Sequence, residues 1–311
     1  MVQFFRETHI DFMQKRKYAI LASAILILIG IASLIIKGGP KYSIDFLGGT
    51  EIHVQFQQPQ DPGAVREALA ALGYGDAEIK QFGGREDFLI RVQQQEIGTQ
   101  ISDNILAALQ KAFPSDPGEM RSVESVGPKI GRELRSASVW ATLISLFLIL
   151  IYVSFRFEFI FAVGAVVALF HDVMVTLGIF SLLNLEVNLA VVAAFLTLVG
   201  YSLNDTIVIF DRIRENLKLR RRDNLQIAEI INLSINQTLS RTILTSLTVF
   251  FVVVVLFLFG GQVIHNFSFC MLIGVIAGSY STIFIAATLV VEWYKKHHLA
   301  KIKQRSAVAV R

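Results

Sequence analysis

The sequence predicts an α-helical polytopic membrane protein with six transmembrane helices and one α+β ferredoxin-like extracytoplasmic domain between the first and second helices. Three observations point there. Of 311 residues, 53% are hydrophobic and only 17% charged, whereas a soluble domain needs about a quarter charged to cover its aqueous surface. Mean hydropathy is +0.55. Apolar runs long enough to cross a hydrocarbon core of about 30 Å recur at 18–36, 137–155, 159–181, 187–210, 242–260 and 266–291, and the intervening stretch 37–136 reads as soluble protein.

The first run follows Arg6, Lys15, Arg16 and Lys17, as the apolar core of a signal peptide follows its charged start. It is longer than such a core, and no small-residue cleavage site follows Ile36, so it reads as an uncleaved anchor. Orientation comes from lysine and arginine in the short loops. The 181–188 and 260–266 connections carry none. The opposite side holds the N-terminal cluster, Arg156, the group Arg212, Arg214, Lys218, Arg220, Arg221 and Arg222, and a tail with Lys295, Lys296, Lys301, Lys303, Arg305 and Arg311. Residues 1–17, the 211–241 loop and the 292–311 tail are therefore expected in the cytoplasm, and 37–136 outside. Within that loop, 225–239 is amphipathic and is expected to lie along the cytoplasmic interface.

In the 37–136 stretch, Ile52, Val54 and Phe56 alternate as on a strand, and Asp61-Pro62 opens a helix that stops at Gly73. Two strands, 77–82 and 87–92, meet across Gly83-Gly84; a helix over 98–113 and a strand over 119–126 complete the order β-α-β-β-α-β. The single cysteine, Cys270, lies in an apolar run, so this domain has no disulfide to stand on. The net charge of +4 is dispersed along membrane flanks and gives no nucleic-acid footprint. No metal-ligand spacing, nucleophile triad or phosphate-binding glycine loop appears, so the chain reads as a non-enzyme without a cofactor.

Charges inside the apolar runs carry the functional signal, since each costs about 2.5–3.5 kcal/mol at a helix centre on insertion scales. His171-Asp172 sits mid-span in the third run, Asp205 in the fourth, and Arg241 opens the fifth. Thr197, Tyr201, Asn204 and Asp205 share one helical face, as do Ser234, Thr238, Arg241, Thr245 and Thr248. Two such stripes should face each other or a hydrated cavity. A carboxylate near an arginine in low dielectric is the material of a proton relay; the same pair could equally be structural glue. Cys270, Gly274, Gly278 and Thr282 form a small-residue packing seam on the sixth run.

The run from Gly200 to Glu215, with Asn204-Asp205-Thr206 and Asp211-Arg212 inside it, resembles the SecF branch of the SecD/SecF family, within the resistance-nodulation-division superfamily. Tyr42 to Gly49, Val123 to Pro128, Phe170-His171-Asp172-Val173 and Asn236 to Thr242 agree in order, so the resemblance spans about 12–295. It implies an inner-membrane subunit of the preprotein translocase. Such a subunit pairs with SecD and associates with the SecYEG channel, YajC and YidC. It uses the proton motive force to promote export after SecA has driven insertion. Carried over by motif, Asp205 and Arg241 are proton-pathway residues, with Asp172 added from its depth. Tyr201, Asn204, Thr238 and Thr245 form a supporting polar face; Phe46, Gly48 and Gly49 couple the domain to the helices; Gly274 and Gly278 pack helices. The coupling ion is H⁺ or Na⁺. A non-transporting scaffold, or a proton-driven half-unit exporting small molecules or lipids, is the alternative.

Overall fold

The computed structural model describes residues 8–81, 84–92, 100–220 and 225–296. Parts of several expectations lie outside the described residues: the turn residues 82–83, the helix start at 98–99, Arg6, Arg221 and Arg222, and the tail from 297 onward. The chain divides into two compact units, Tyr42–Trp140 and the remainder.

In the first unit, a short helix α2 (Ile44–Leu47) leads into strand β1 (Gly49–Gln55), helix α3 (Pro62–Ala70), strands β2 (Glu78–Gln81) and β3 (Asp87–Val92), helix α4 (Gln100–Ala112) and strand β4 (Glu119–Val126). The antiparallel sheet has the order β2-β3-β1-β4, the split βαβ arrangement expected from the element order. Its register sets Ile52 opposite Ile90 and Val123. Strand alternation puts Ile52, Val54, Phe88 and Ile90 on one face, where Val65 and Leu69 of α3 and Ile101, Ile105 and Leu109 of α4 close the core. Each such side chain contributes about 1.5–3 kcal/mol on burial. Asp61 starts α3 by accepting the Ala64 N–H at 3.3 Å, with Pro62 at the first helical position. Arg91 of β3 is buried between two carboxylates, bonding Glu51 and, at 3.2 Å, Glu78.

The second unit is helical. Among the described residues, six helices are long and apolar enough to cross a membrane: α1 (Phe12–Ile36), α5 (Pro128–Arg156), α6 (Phe159–Leu182), α7 (Leu189–Leu219), α8 (Ile227–Phe259), and the stretch Val263–Lys296, which takes in most of α9 (Gly261–Ser281). The first turns of α5 belong to the α+β unit. Helices α6, α7 and α9 form the interior, whereas α1, α5 and α8 expose most of their apolar windows. Gly30 and Gly178 let α1 and α6 touch backbone to backbone; a Cβ on Gly30 would stand 2.7 Å from the Gly178 Cα. The 225–239 stretch expected along the interface has no helix of its own. Instead α8 runs unbroken from a Gln226–Glu229 capping box into the apolar span, because Ile230, Ile231, Ser234 and Ile235 stay buried against the bundle and no proline or glycine interrupts them. A π-helical turn, Thr282–Ala286, follows α9.

Candidate functional site: two buried carboxylates

Asp205 and Asp172 are 3% and 1% exposed, and each needs hydrogen-bond partners where water is excluded. Asp205 finds them on α8: Thr245 Oγ1 donates to Oδ1 at 3.0 Å and Ser246 Oγ to Oδ2 at 3.1 Å. Ser279 of α9 donates in turn to Ser246 at 2.8 Å. Each Asp205 oxygen thus lies within hydrogen-bond distance of one α8 hydroxyl. The Tyr201 hydroxyl is buried nearby without a well-formed hydrogen bond.

Arg241 lies on the expected helix but makes no ion pair with Asp205; its guanidinium is exposed on the bundle surface and reaches the carboxylate only through its field. Asn204 also points away from the packed interior. Thr238 bonds back to the Ser234 and Ile235 carbonyls of its own helix. Of the four residues expected to support the pair, Thr245 therefore touches Asp205, Tyr201 is near it, and Asn204 and Thr238 face elsewhere.

Asp172 is held from three helices. Ser202 of α7 donates to Oδ2 at 2.7 Å and Ser281 of α9 at 3.0 Å, while His171 Nδ1 stands 3.0 Å from Oδ1. His171 Nε2 reaches Ser23 Oγ of α1 at 3.0 Å, Ser23 donates to the Tyr280 hydroxyl at 3.0 Å, and Tyr280 donates to the Ala19 carbonyl at 2.6 Å. The glycine seam makes this approach possible. A Cβ on Gly274 would meet Leu198 at 2.5 Å; one on Gly278 would meet Ser202 at 3.1 Å and Asp172 Oδ2 at 3.5 Å. The serines were missed by sequence reasoning because a hydroxyl in an apolar helix usually bonds its own preceding turn. The one signal available was their placement: Ser202 lies three residues before Asp205, and Ser279 and Ser281 straddle the glycine-seam face.

In the α+β unit, Phe46 is buried and Gly48 and Gly49 turn with φ of +80° and +128°. A Cβ on Gly48 would stand 2.9 Å from the Pro128 Cα, and one on Gly131 would meet the Phe46 carbonyl oxygen at 3.1 Å. The glycine turn thus rests on the first turn of α5, and only glycine fits it. Tyr42 packs edge-on to Phe46 and beneath the Arg135 guanidinium, 4.5 Å from its ring centre.

Residues 105–296 match the family described as protein export membrane protein SecD/SecF, C-terminal, and residues 33–60 match the SecD/SecF GG motif. The chain belongs to the SecF subunits of the SecD/SecF family. The protein translocase subunit SecF of Magnetococcus marinus is 48% identical, over 93% of this chain and 94% of that protein. That of Desulfurispirillum indicum is 43% identical over 96% of each. Among solved structures, SecDF from Thermus thermophilus, a translocon-associated membrane protein, aligns at a TM-score of 0.83 and 37% identity, covering 93% of this chain. SecDF in its super-membrane-facing form aligns at 0.72 and 36%, covering 97%. The chain spans about two fifths of those longer SecDF chains, 39% and 41%. The stretch matched to the GG motif contains the Gly48-Gly49 turn that packs on α5.

Proposed function

We propose that this SecF subunit works with SecD to promote preprotein export across the bacterial inner membrane, driven by the proton motive force. Asp205 is its principal proton-binding group. The observation carrying this reading is the setting of Asp205: a carboxylate inside a membrane bundle, held by two hydroxyls of one helix, with Arg241 on that helix outside hydrogen-bonding distance. A proton arriving on either oxygen converts an acceptor to a donor, so the hydroxyl facing it must accept and turn its own hydrogen elsewhere, as Thr245 can toward the Arg241 and Thr242 carbonyls. α7 and α8 are then free to shift, and the α+β domain follows the helices that enter and leave it.

Arg241 sets the field at Asp205 and can receive an acidic partner from SecD. Asp172 is a second carboxylate of the pathway. Phe46, Gly48 and Gly49 transmit movement to the domain through the start of α5. The long length of the SecDF chains, of which this chain matches two fifths, supports SecD as the partner. SecYEG, YajC, YidC and the preprotein are the wider assembly, and SecA acts before it. Termini in the cytoplasm follow from the loop charges.

The scaffold reading draws on the same geometry, since Asp205 is already satisfied without Arg241. Inverted membrane vesicles with SecD present separate the two. After ATP-driven insertion, completion of translocation is followed with and without a proton gradient. The gradient should speed completion in wild type and not in Asp205→Asn. An equal response of both proteins would make the Asp205 cluster structural.

A further inference from the structure

Counting hydrogens around His171 leads to a state that distance alone does not reveal. The Ala19 carbonyl can only accept, so the Tyr280 hydroxyl, 2.6 Å away, spends its one hydrogen there. Ser23 must then donate its own hydrogen to Tyr280. With that hydrogen committed, Ser23 Oγ can only accept from His171 Nε2, so Nε2 carries a hydrogen. The other ring nitrogen, Nδ1, faces Asp172 Oδ1 at 3.0 Å. A bare Nδ1 opposite an ionised carboxylate would set two lone pairs against each other, so a second hydrogen lies between them. Oδ2 meanwhile accepts from Ser202 and from Ser281, whose one hydrogen is shared with the Gly278 carbonyl.

We propose that His171 and Asp172 form a proton-binding site separate from Asp205, drawn here in its loaded state. The pair holds one hydrogen on Nε2 and one shared between Nδ1 and Oδ1, and its net charge is zero, as a dry interior favours. The groups facing it are Ser23 from α1, Ser202 from α7, and Tyr280 and Ser281 from α9. Among these Tyr280 alone is titratable, its ring stacked on His171 at 5.9 Å. Asp205 is the next acid, three residues beyond Ser202 on α7.

Release follows from the same count. The Nε2 hydrogen passes to water, and the bridging hydrogen stays on Nδ1 against the carboxylate. Nε2 is now an acceptor, so the Ser23 hydroxyl turns from Tyr280 to His171. The bond that ties α1 to α9 through Ser23 is lost while α1 stays tied to α6. The Tyr280–Ala19 bond still joins α1 to α9, so the proton occupancy of this pair sets whether one hydrogen bond or two hold α9 to α1, the span that leads into the α+β domain. The place of this switch in an export cycle rests on the proton-driven reading above; the existence of the site does not.

The test uses the full chain with SecD in lipid nanodiscs, ¹⁵N-labelled at histidine, with His171 assigned by its loss in His171→Gln. At neutral pH the His171 Nε2 should read as N–H and Nδ1 as N–H or as a bridging nitrogen. Raising the pH should move the ring to a single hydrogen on Nδ1. Asp172→Asn should instead leave a single hydrogen on Nε2, since an amide can donate to Nδ1. A neutral wild-type ring carrying its hydrogen on Nδ1 at neutral pH would overturn the proposal. Retention of the His171 pattern in Asp205→Asn is expected, and its collapse there would overturn the separateness of the two sites. If the NMR pattern holds and Ser23→Ala shows the full gradient response in vesicles, the switch is overturned while the Asp205 reading stands.

Discussion

Asp172 and Asp205 occupy one bundle and are both buried, yet they are held in opposite ways. Asp172 is fixed by His171 and by serines from α7 and α9, with α1 tied in behind the histidine. Asp205 is held by adjacent residues of a single helix, α8, with one further serine behind them. A group gripped from several helices can move only if the bundle repacks. One gripped from a single helix can change partners when that helix slides. In the proposed mechanism this difference gives the large mechanical response to Asp205, while Asp172 organises the bundle around the His171 switch.

The comparison breaks most visibly in stability. Asp172→Ala leaves the Ser202 hydroxyl and His171 without their acceptor and Ser281 with only the Gly278 carbonyl, and should cost about 3–5 kcal/mol. Asp205→Ala, whose hydroxyl partners can fall back on carbonyls of α8 as Thr245 already does, should cost about 1–2 kcal/mol. Thermal unfolding of the purified chain in detergent checks the order, and equal losses would remove the distinction. Function should invert it, with Asp205→Asn losing the gradient response while unfolding close to wild type.

The glycine turn sharpens the view of how the domain is held. Gly48→Ala forces a Cβ into the Pro128 backbone at a φ of +80° and should cost about 1–3 kcal/mol. Gly73→Ala also has a positive φ but meets nothing within 4 Å, so it should cost about 1 kcal/mol. Denaturant unfolding of the two variants reads the steric part as the difference.

The smallest expected effect lies in the α+β domain at Asp116. Burial raises its pKa, but N–H groups of Gln57, Gln58 and Gly118, with the Gln60 side chain, outweigh this and hold it below the ordinary carboxylate value. A folded-state pKa below the unfolded one stabilises the fold above about pH 4 and is lost as pH falls through the folded value. Asp116→Asn should therefore flatten the acid limb of the stability curve by lowering stability at neutral pH while leaving strongly acid pH nearly unchanged. An unaltered acid slope would show that the bonds are not coupled to protonation.

Much of the fold was legible because its signals are local. Apolar length marks the spans, alternation marks Ile52, Val54 and Phe56, and Asp61-Pro62 marks a helix start. The site was half legible. A charge in an apolar run announces itself, so Asp172, Asp205 and Arg241 stood out, whereas Ser23, Ser246 and Ser281 look like any serine in a membrane helix. The expected Asp205–Arg241 ion pair is missing for a reason of depth rather than rotation. Arg241 shares a face with Thr245 but lies a full turn, about 6 Å, before it along α8, and it is exposed.

By itself the sequence determined the membrane class, the span order, the βαββαβ domain and the carboxylates, since burial in lipid leaves no other place for those residue types. Only the tertiary structure decided who faces whom. Helix rotation and close approach at Gly30, Gly178 and Gly278 bring together hydroxyls far apart in the chain, and a hydrogen bond depends on tenths of an ångström that no residue pattern specifies.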